Sequence, residues 1–351
     1  MRIAVATGLI ATAGLLGCDG SASLGGDGAS YEMTEADAAA FEANRRLGHG
    51  INLGNALEAP REGDWGYRIE RVHLKVIKRL GFDSVRVPVR WSAHIGPGPD
   101  YLIEEAFATR VDEVIDWASA EGLSVVLDDH HHGSVIDDPD RHGQELIALW
   151  RQLAGRYRDR PPGLVYELLN EPHGGLTAAK WNRLMADALA TVRAVDPDRV
   201  VIVGPTQWNS IDRLDDLVLP ADDRRLIVTV HYYEPFEFTH QGASWVDGSD
   251  EWLGTKFSGH GSAARQIARD LGRVAAWGRR QGRPIYVGEF GAYEKADMPS
   301  RAAWTRAVCR AIDESGFSRA YWEFGSGFGI YDPATATLRR PLVEALKSSE
   351  R

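Results

Sequence analysis

Leu164-Val165-Tyr166-Glu167-Leu168-Leu169-Asn170-Glu171-Pro172 is a short run of apolar, branched and aromatic residues that stops at a proline. Such a run reads as a buried strand, and Glu171 sits at its C-terminal tip. A second run, Pro284-Ile285-Tyr286-Val287-Gly288-Glu289-Phe290-Gly291, places Glu289 in the same position on another strand. A carboxylate at a buried strand end is costly unless it faces a cleft where it does chemistry. One such glutamate alone is as readily explained by a structural salt bridge. Two on different strands are what hydrolysis of a glycosidic bond asks for: an acid/base, and a nucleophile or water-activating base. Glu167 shares the strand parity of Leu169 and Glu171, so it points inward as well, into a structural network rather than into the chemistry.

Outward from these two runs, strand-like and helix-like segments alternate without a linker or low-complexity tract. The strand candidates are 50–53, 84–87, 125–128, 165–169, 200–204, 227–231, 285–288 and 320–324. Between them lie helical stretches such as 69–80, where Ile69, Val72, Val76 and Leu80 form one stripe and Gly81 stops the helix. The segments 144–157, 178–195, 262–280 and 301–314 show the same periodicity. Eight strands alternating with helices predict an α/β fold, a (β/α)8 TIM barrel in one catalytic domain over residues 39–351. An open doubly wound sheet is the competing arrangement, but Gly50-Ile51-Asn52-Leu53-Gly54-Asn55 lacks the spacing of a phosphate-binding loop. Polar and aromatic residues gather just past every strand end, where barrel enzymes build their sites. That clustering is the main reason, from the residues alone, to expect an enzyme.

The formal net charge of −10 argues against nucleic acid or an anionic membrane surface as partner. Residues 1–18 read as a secretory signal: Met1-Arg2 opens it, an apolar stretch runs to Leu16, and Leu15-Leu16-Gly17-Cys18 closes it. This ending resembles a bacterial lipobox, which makes Cys18 the expected lipid anchor, with export across the inner membrane and retention at the periplasmic or cell surface. Residues 19–38 fit a flexible linker. Only Cys309 then remains in the mature chain, so no intramolecular disulfide is expected. Nothing in the pattern suggests a large apolar interface, and a monomer is expected.

Four motifs carry a resemblance over most of the chain from Leu47 to Leu346. They are Gly50-Ile51-Asn52-Leu53-Gly54-Asn55-Ala56-Leu57-Glu58, Val85-Arg86-Val87-Pro88-Val89-Arg90-Trp91, Asn170-Glu171-Pro172-His173-Gly174 and Gly288-Glu289-Phe290-Gly291. Together they resemble glycoside hydrolase family 5, the cellulase-type retaining glycosidases. The stretch His231-Tyr232-Tyr233 through Gln241-Gly242-Ala243 and Trp245 is similar to that family's bacterial endo-β-1,4-glucanases, some of which also cut mannan. The resemblance implies Glu171 as acid/base and Glu289 as nucleophile, with Arg86 and Tyr233 holding Glu289. It implies Asn170 on the sugar 2-hydroxyl, Trp322 under the sugar at the cut, and supporting histidines at His130 and His231. All eight positions match. It further implies a polysaccharide substrate, β-1,4-glucan before mannan or mixed-linkage glucan, and no cofactor. A surface carbohydrate-binding protein that has lost turnover is the reading from another class; the intact carboxylate pair argues against it.

Of eleven tryptophans, Trp65, Trp91, Trp208, Trp245, Trp252 and Trp322 fall in or beside strand-to-helix loops, where flat rings suit the apolar faces of sugars. Trp245, Trp208, His131, Asn52 and Glu58 join Trp322 as expected substrate contacts. Trp150, Trp181, Trp277 and Trp304 lie in helical patterns and are expected to pack in the outer ring. The long segment from Glu234 to Gly261 reads as a cleft wall, with Phe238, His240 and Trp245 facing sugar. In Asp128-Asp129-His130-His131-His132, His130 and His132 have a ligand-like spacing, with Asp138 and His142 nearby. A metal barrel needs ligands from further strands, and no metal is expected.

Overall fold

The computed structural model describes residues 33–347; the expected signal segment and Cys18 lie outside them. The eight expected strands are all present. They are β1 (His49–Asn52), β2 (Ser84–Val89), β3 (Ser124–Asp129), β4 (Leu164–Glu167), β5 (Val201–Val203), β6 (Leu226–His231), β7 (Ile285–Glu289) and β8 (Ser318–Tyr321). They pair in parallel in sequence order, and β8 returns to β1, closing a barrel. Helices follow seven of them: Arg71–Arg79, Glu105–Ala120, Pro139–Tyr157, Ala178–Val195, Gly261–Gln281, Met298–Glu314 and Arg340–Lys347. After β5 there is only a short kinked turn, Thr206–Asn209, and a 3-10 turn, Ile211–Asp216. A two-stranded ribbon, Tyr331–Asp332 with Thr337–Leu338, was not anticipated.

Strand parity sorts the core into two parts. Val85, Val87, Val125 and Leu127 face the helix ring, whereas Val126, Val165, Ile202, Ile227, Tyr286 and Ala320 fill the barrel. Ala43 and Leu47 join this inner cluster from an N-terminal helix, Glu35–Leu47. Its first turn is set by a capping box between Thr34 and Asp37. The linker expected to reach residue 38 therefore ends earlier, because the sequence from Thr34 caps a helix whose apolar stripe is buried. Residues 19–32 of that linker lie outside the described part.

Three tryptophans in the outer ring tie helices to strand tips. The indole N–H groups of Trp150, Trp181 and Trp304 donate to the carbonyls of Leu168 (2.8 Å), Gly204 (2.8 Å) and Glu234 (2.9 Å). Those carbonyls lie just past β4, β5 and β6, where the backbone has left the sheet and needs new partners. Each ring supplies a large buried surface and a single donor, so packing and strand-end position are fixed together. Replacing Trp150 with Phe keeps an aromatic ring but strands the Leu168 carbonyl two residues before Asn170. The Trp150→Phe variant is expected to lose about 1–3 kcal/mol of unfolding free energy in denaturant titrations.

Candidate active site

Inside the barrel, above the apolar layer, the alternation of β2, β3 and β4 that buries Val126 and Val165 also turns Arg86, Asp128 and Glu167 inward. Arg86 is fully buried and takes Glu167 in a forked pair (2.7 and 3.0 Å), Asp128 at 2.9 Å and Glu289 at 2.7 Å. It also donates to the side-chain oxygens of Asn52 (3.0 Å) and Asn170 (2.7 Å). Simple alternation would send Glu289 outward with Val287. A shift of register between β6 and β7, at Val230/His231, instead sets Glu289 beside His231. Its second oxygen accepts from the Tyr233 hydroxyl at 2.9 Å.

Glu171 lies four residues past β4 in a left-handed conformation (φ 48°). The His173 ring donates to its backbone carbonyl at 2.6 Å, and His231 Nδ1 lies 2.7 Å from its carboxyl. One oxygen of Glu171 and one of Glu289 approach within 4.8 Å. Burial raises the Glu171 pKa to about 7. Burial pushes Glu289 up to about 7 as well, with His231, Arg86 and the Tyr233 hydroxyl pulling it back. Burial depresses His231 to about 4 and takes His130 well below the usual histidine range, so both rings are neutral.

Their tautomers follow from their neighbours. Asn170 presents its oxygen to Arg86, so its amide N–H faces His130 Nε2 (3.3 Å), and His130 Nδ1–H donates to Asp128 (2.6 Å). The Asn209 amide faces His231 Nε2 at 3.2 Å, which puts the His231 proton on Nδ1. Glu171, His231 and Glu289 could between them offer three ligand atoms to a cation. A protonated Nδ1 has no lone pair to give, so this trio is not a ready metal site.

The expected site residues divide in two. Glu171, Glu289, Arg86, Asn170, His130, His231 and Tyr233 come together, with Trp322 stacked on His130 (5.8 Å, 9°). Trp245 and Trp208 are exposed at the mouth, Trp208 stacked on His173 (4.8 Å, 19°), and His131 is exposed there beside Trp65. Asn52 is not placed for sugar: it is fully buried and holds Arg86, Gly288 and the β8 backbone. Glu58 is 1% exposed and its carboxylate accepts the Asn55 and Ala56 amides, so it props the first loop from within. Phe238 is buried against Phe257 and Trp304, and Trp91 is fully buried, so neither faces the cleft; His240, stacked on Phe236, meets Tyr233 and Trp245 edge to face. The apolar surface of Phe238 and Trp91 fills the gap behind long loops. Asp128, His173 and Asn209 were not expected in this network. The parity of Val126 predicts Asp128, but no sequence signal marks Asn209.

Fold and site together define a parallel barrel built around a buried carboxylate pair at the C-terminal ends of its strands. The family model of cellulase, glycosyl hydrolase family 5, matches residues 49–327, and the chain belongs to that family. It is 34% identical to Endoglucanase H of Acetivibrio thermocellus over 313 residues, covering 87% of this chain and 33% of that protein. The chain thus spans about a third of that relative's length, and 38% of Cellulase/esterase CelE from the same organism. Among solved structures, Cel5A of Thermotoga maritima in complex with mannotriose superposes with a TM-score of 0.86 at 47% identity, covering 88% of this chain and 99% of that one. The same figures hold for that protein's complex with cellobiose.

Away from the pair, His132 is fully buried, with Nδ1 2.7 Å from Asp129 and Nε2 3.5 Å from Glu145. Burial opposes its charge, but those two carboxylates overcome it and raise its pKa to about 9. A raised histidine pKa adds stability that is full below the ordinary value of 6.5 and is lost as pH rises through about 9. Unfolding free energy is expected to fall across that window, and His132→Gln to remove part of the slope. Denaturant titrations at both ends of the window check it.

Proposed function

We propose that the chain is a retaining endo-glycosidase that hydrolyses β-1,4-glucan as a monomer without a cofactor, with β-1,4-mannan as its second substrate. The observation that carries this reading is the spacing of Glu171 and Glu289, whose oxygens approach within 4.8 Å. So close an approach of single oxygens fits the ~5–5.5 Å carboxyl separation of retaining enzymes better than the ~6.5–9.5 Å that seats a water for inversion. The likeness to Cel5A, solved with cellobiose and with mannotriose, supports the two substrates.

Glu289 attacks the anomeric carbon as the bond to the leaving oxygen breaks, and the Glu171 proton passes to that oxygen. Water then gives a proton to Glu171 and attacks the same carbon, freeing Glu289. The carboxyls titrate as a pair that holds one proton over part of the pH range. Arg86 and Tyr233 both donate to Glu289, which leaves that proton on Glu171. Trp322, half-buried on His130, forms a floor for the sugar being cut. The exposed rings of Trp208 and Trp245 offer further stacking surfaces along the mouth.

Release of reducing ends from carboxymethylcellulose, barley glucan, glucomannan, galactomannan and xylan tests the proposal. Glucans are expected to be cut, and Glu171→Gln and Glu289→Gln each to lose at least about a hundredfold in rate. Because Glu171 must carry its proton, kcat/KM is expected to fall as pH rises through about 7. Binding without release of reducing ends would favour the carbohydrate-binding reading; cleavage of galactomannan alone would replace the substrate and keep the mechanism. The ending Leu15-Leu16-Gly17-Cys18 supports export and tethering through a lipidated Cys18. Cys18→Ser is then expected to move the protein from the membrane to the soluble fraction of cells.

A further inference from the structure

The turn after β5 holds three consecutive residues in the left-handed region: Gln207 (φ 56°), Trp208 (φ 60°) and Asn209 (φ 54°). Each non-glycine residue held there costs on the order of 1–2 kcal/mol, so three in a row need a return. The turn reaches Glu171 by two routes. Trp208 stacks on His173, whose ring holds the Glu171 backbone carbonyl. Asn209, fully buried, meets His231 Nε2, and His231 Nδ1 meets the Glu171 carboxyl.

The Asn209 oxygen has no hydrogen-bond partner and points at Gly204, where a Cβ would collide with it. Turning the amide over would place its two N–H donors against that same wall, and orphaned buried N–H groups are rarer than orphaned carbonyls. The amide N–H therefore faces His231, and Nδ1 carries the ring proton. In that tautomer His231 donates to Glu171, so the carboxyl proton cannot settle on His231 and stays on the oxygen available to a leaving group. With the other tautomer, Nδ1 would accept that proton and hold it away from the sugar.

We propose that Asn209 is a positioning residue for the acid/base: through the tautomer of His231 it keeps the Glu171 proton aimed at the leaving oxygen. This rests on the retaining-glycosidase reading. Asn209→Gly keeps the left-handed backbone and removes the amide; Asn209→Asp keeps the shape and presents an acceptor to Nε2. The test compares kcat/KM on a soluble glucan, whose leaving oxygen needs a proton, with kcat/KM on dinitrophenyl cellobioside, whose leaving group does not. Both variants are expected to lose at least about tenfold more on the glucan than on the aryl glycoside. Equal losses on both substrates, or no loss on either, would overturn the proposal. If the wild type cuts neither substrate, the functional reading fails instead. The 15N shifts of His231 in histidine-labelled protein then decide the inference without turnover. The proton is expected on Nδ1 in the wild type and on Nε2 in Asn209→Asp, and an unchanged tautomer would overturn it.

Discussion

One guanidinium holds three carboxylates inside this barrel. Arg86 meets Asp128, Glu167 and Glu289 within 2.9 Å, all of them buried. Taking these charges from water is costly, and the attraction repays it only if the remaining donors and acceptors are also matched. Here nearly all are: the planar fork also serves the side-chain oxygens of Asn52 and Asn170, and of the three carboxylates only Asp128 has an oxygen, Oδ1, without a partner. An ammonium group, a point charge with fewer donors, could not reach so many directions at once. The cluster orients nearly everything above it. Arg86 fixes one oxygen of Glu289, the orientation of the Asn170 amide, and through Asn170 the tautomer of His130.

Histidine appears in this molecule under two regimes, and the difference shows how the surroundings assign a role. His130 and His231 are buried near Arg86, stay neutral, accept from an asparagine amide at Nε2 and donate from Nδ1 to a carboxyl group. They are fixed hydrogen-bond relays. His132, two residues from His130 and beyond the left-handed His131, turns away from the site into Asp129 and Glu145 and carries a charge. Parity would put both rings on one face; the left-handed His131 just past β3 instead separates a relay at the site from an ion pair in the ring.

The fold was legible because its signal is repeated: eight short apolar runs, and helices between them with period 3.6. The carboxylate pair was legible for a related reason, since a buried strand rarely ends in glutamate without a task. Failures came where side-chain direction depends on loop geometry. Asn52 and Glu58 flank the first loop as sugar contacts would, yet one is drawn inward by Arg86 and the other by the amides of its own turn. Phe238 illustrates the same limit, because a long loop must build its own small core before it can line anything. Asn209 left no trace in the sequence, as its role depends on a backbone conformation that periodicity does not encode.

Where positive φ falls is the last consequence of this architecture. Eight non-glycine residues among those described adopt it: Asn55, Tyr101, His131, Glu171, Gln207, Trp208, Asn209 and Ala336. All but Ala336, which lies in the turn of the two-stranded ribbon, fall in the segments that leave the C-terminal ends of the barrel strands. The turns at the other end, from helix back to strand, use glycine where they need the same geometry, as at Gly282 and Gly316. A turn that only reverses the chain takes the residue that fits without strain. A turn that must aim an indole, an amide or a carboxyl group cannot use glycine, so it keeps the side chain and accepts the strain. The closed sheet can bear that cost, because its ladder of parallel strands does not depend on the conformation of the loops. Catalytic geometry is therefore concentrated at one rim of a barrel whose stability is secured elsewhere.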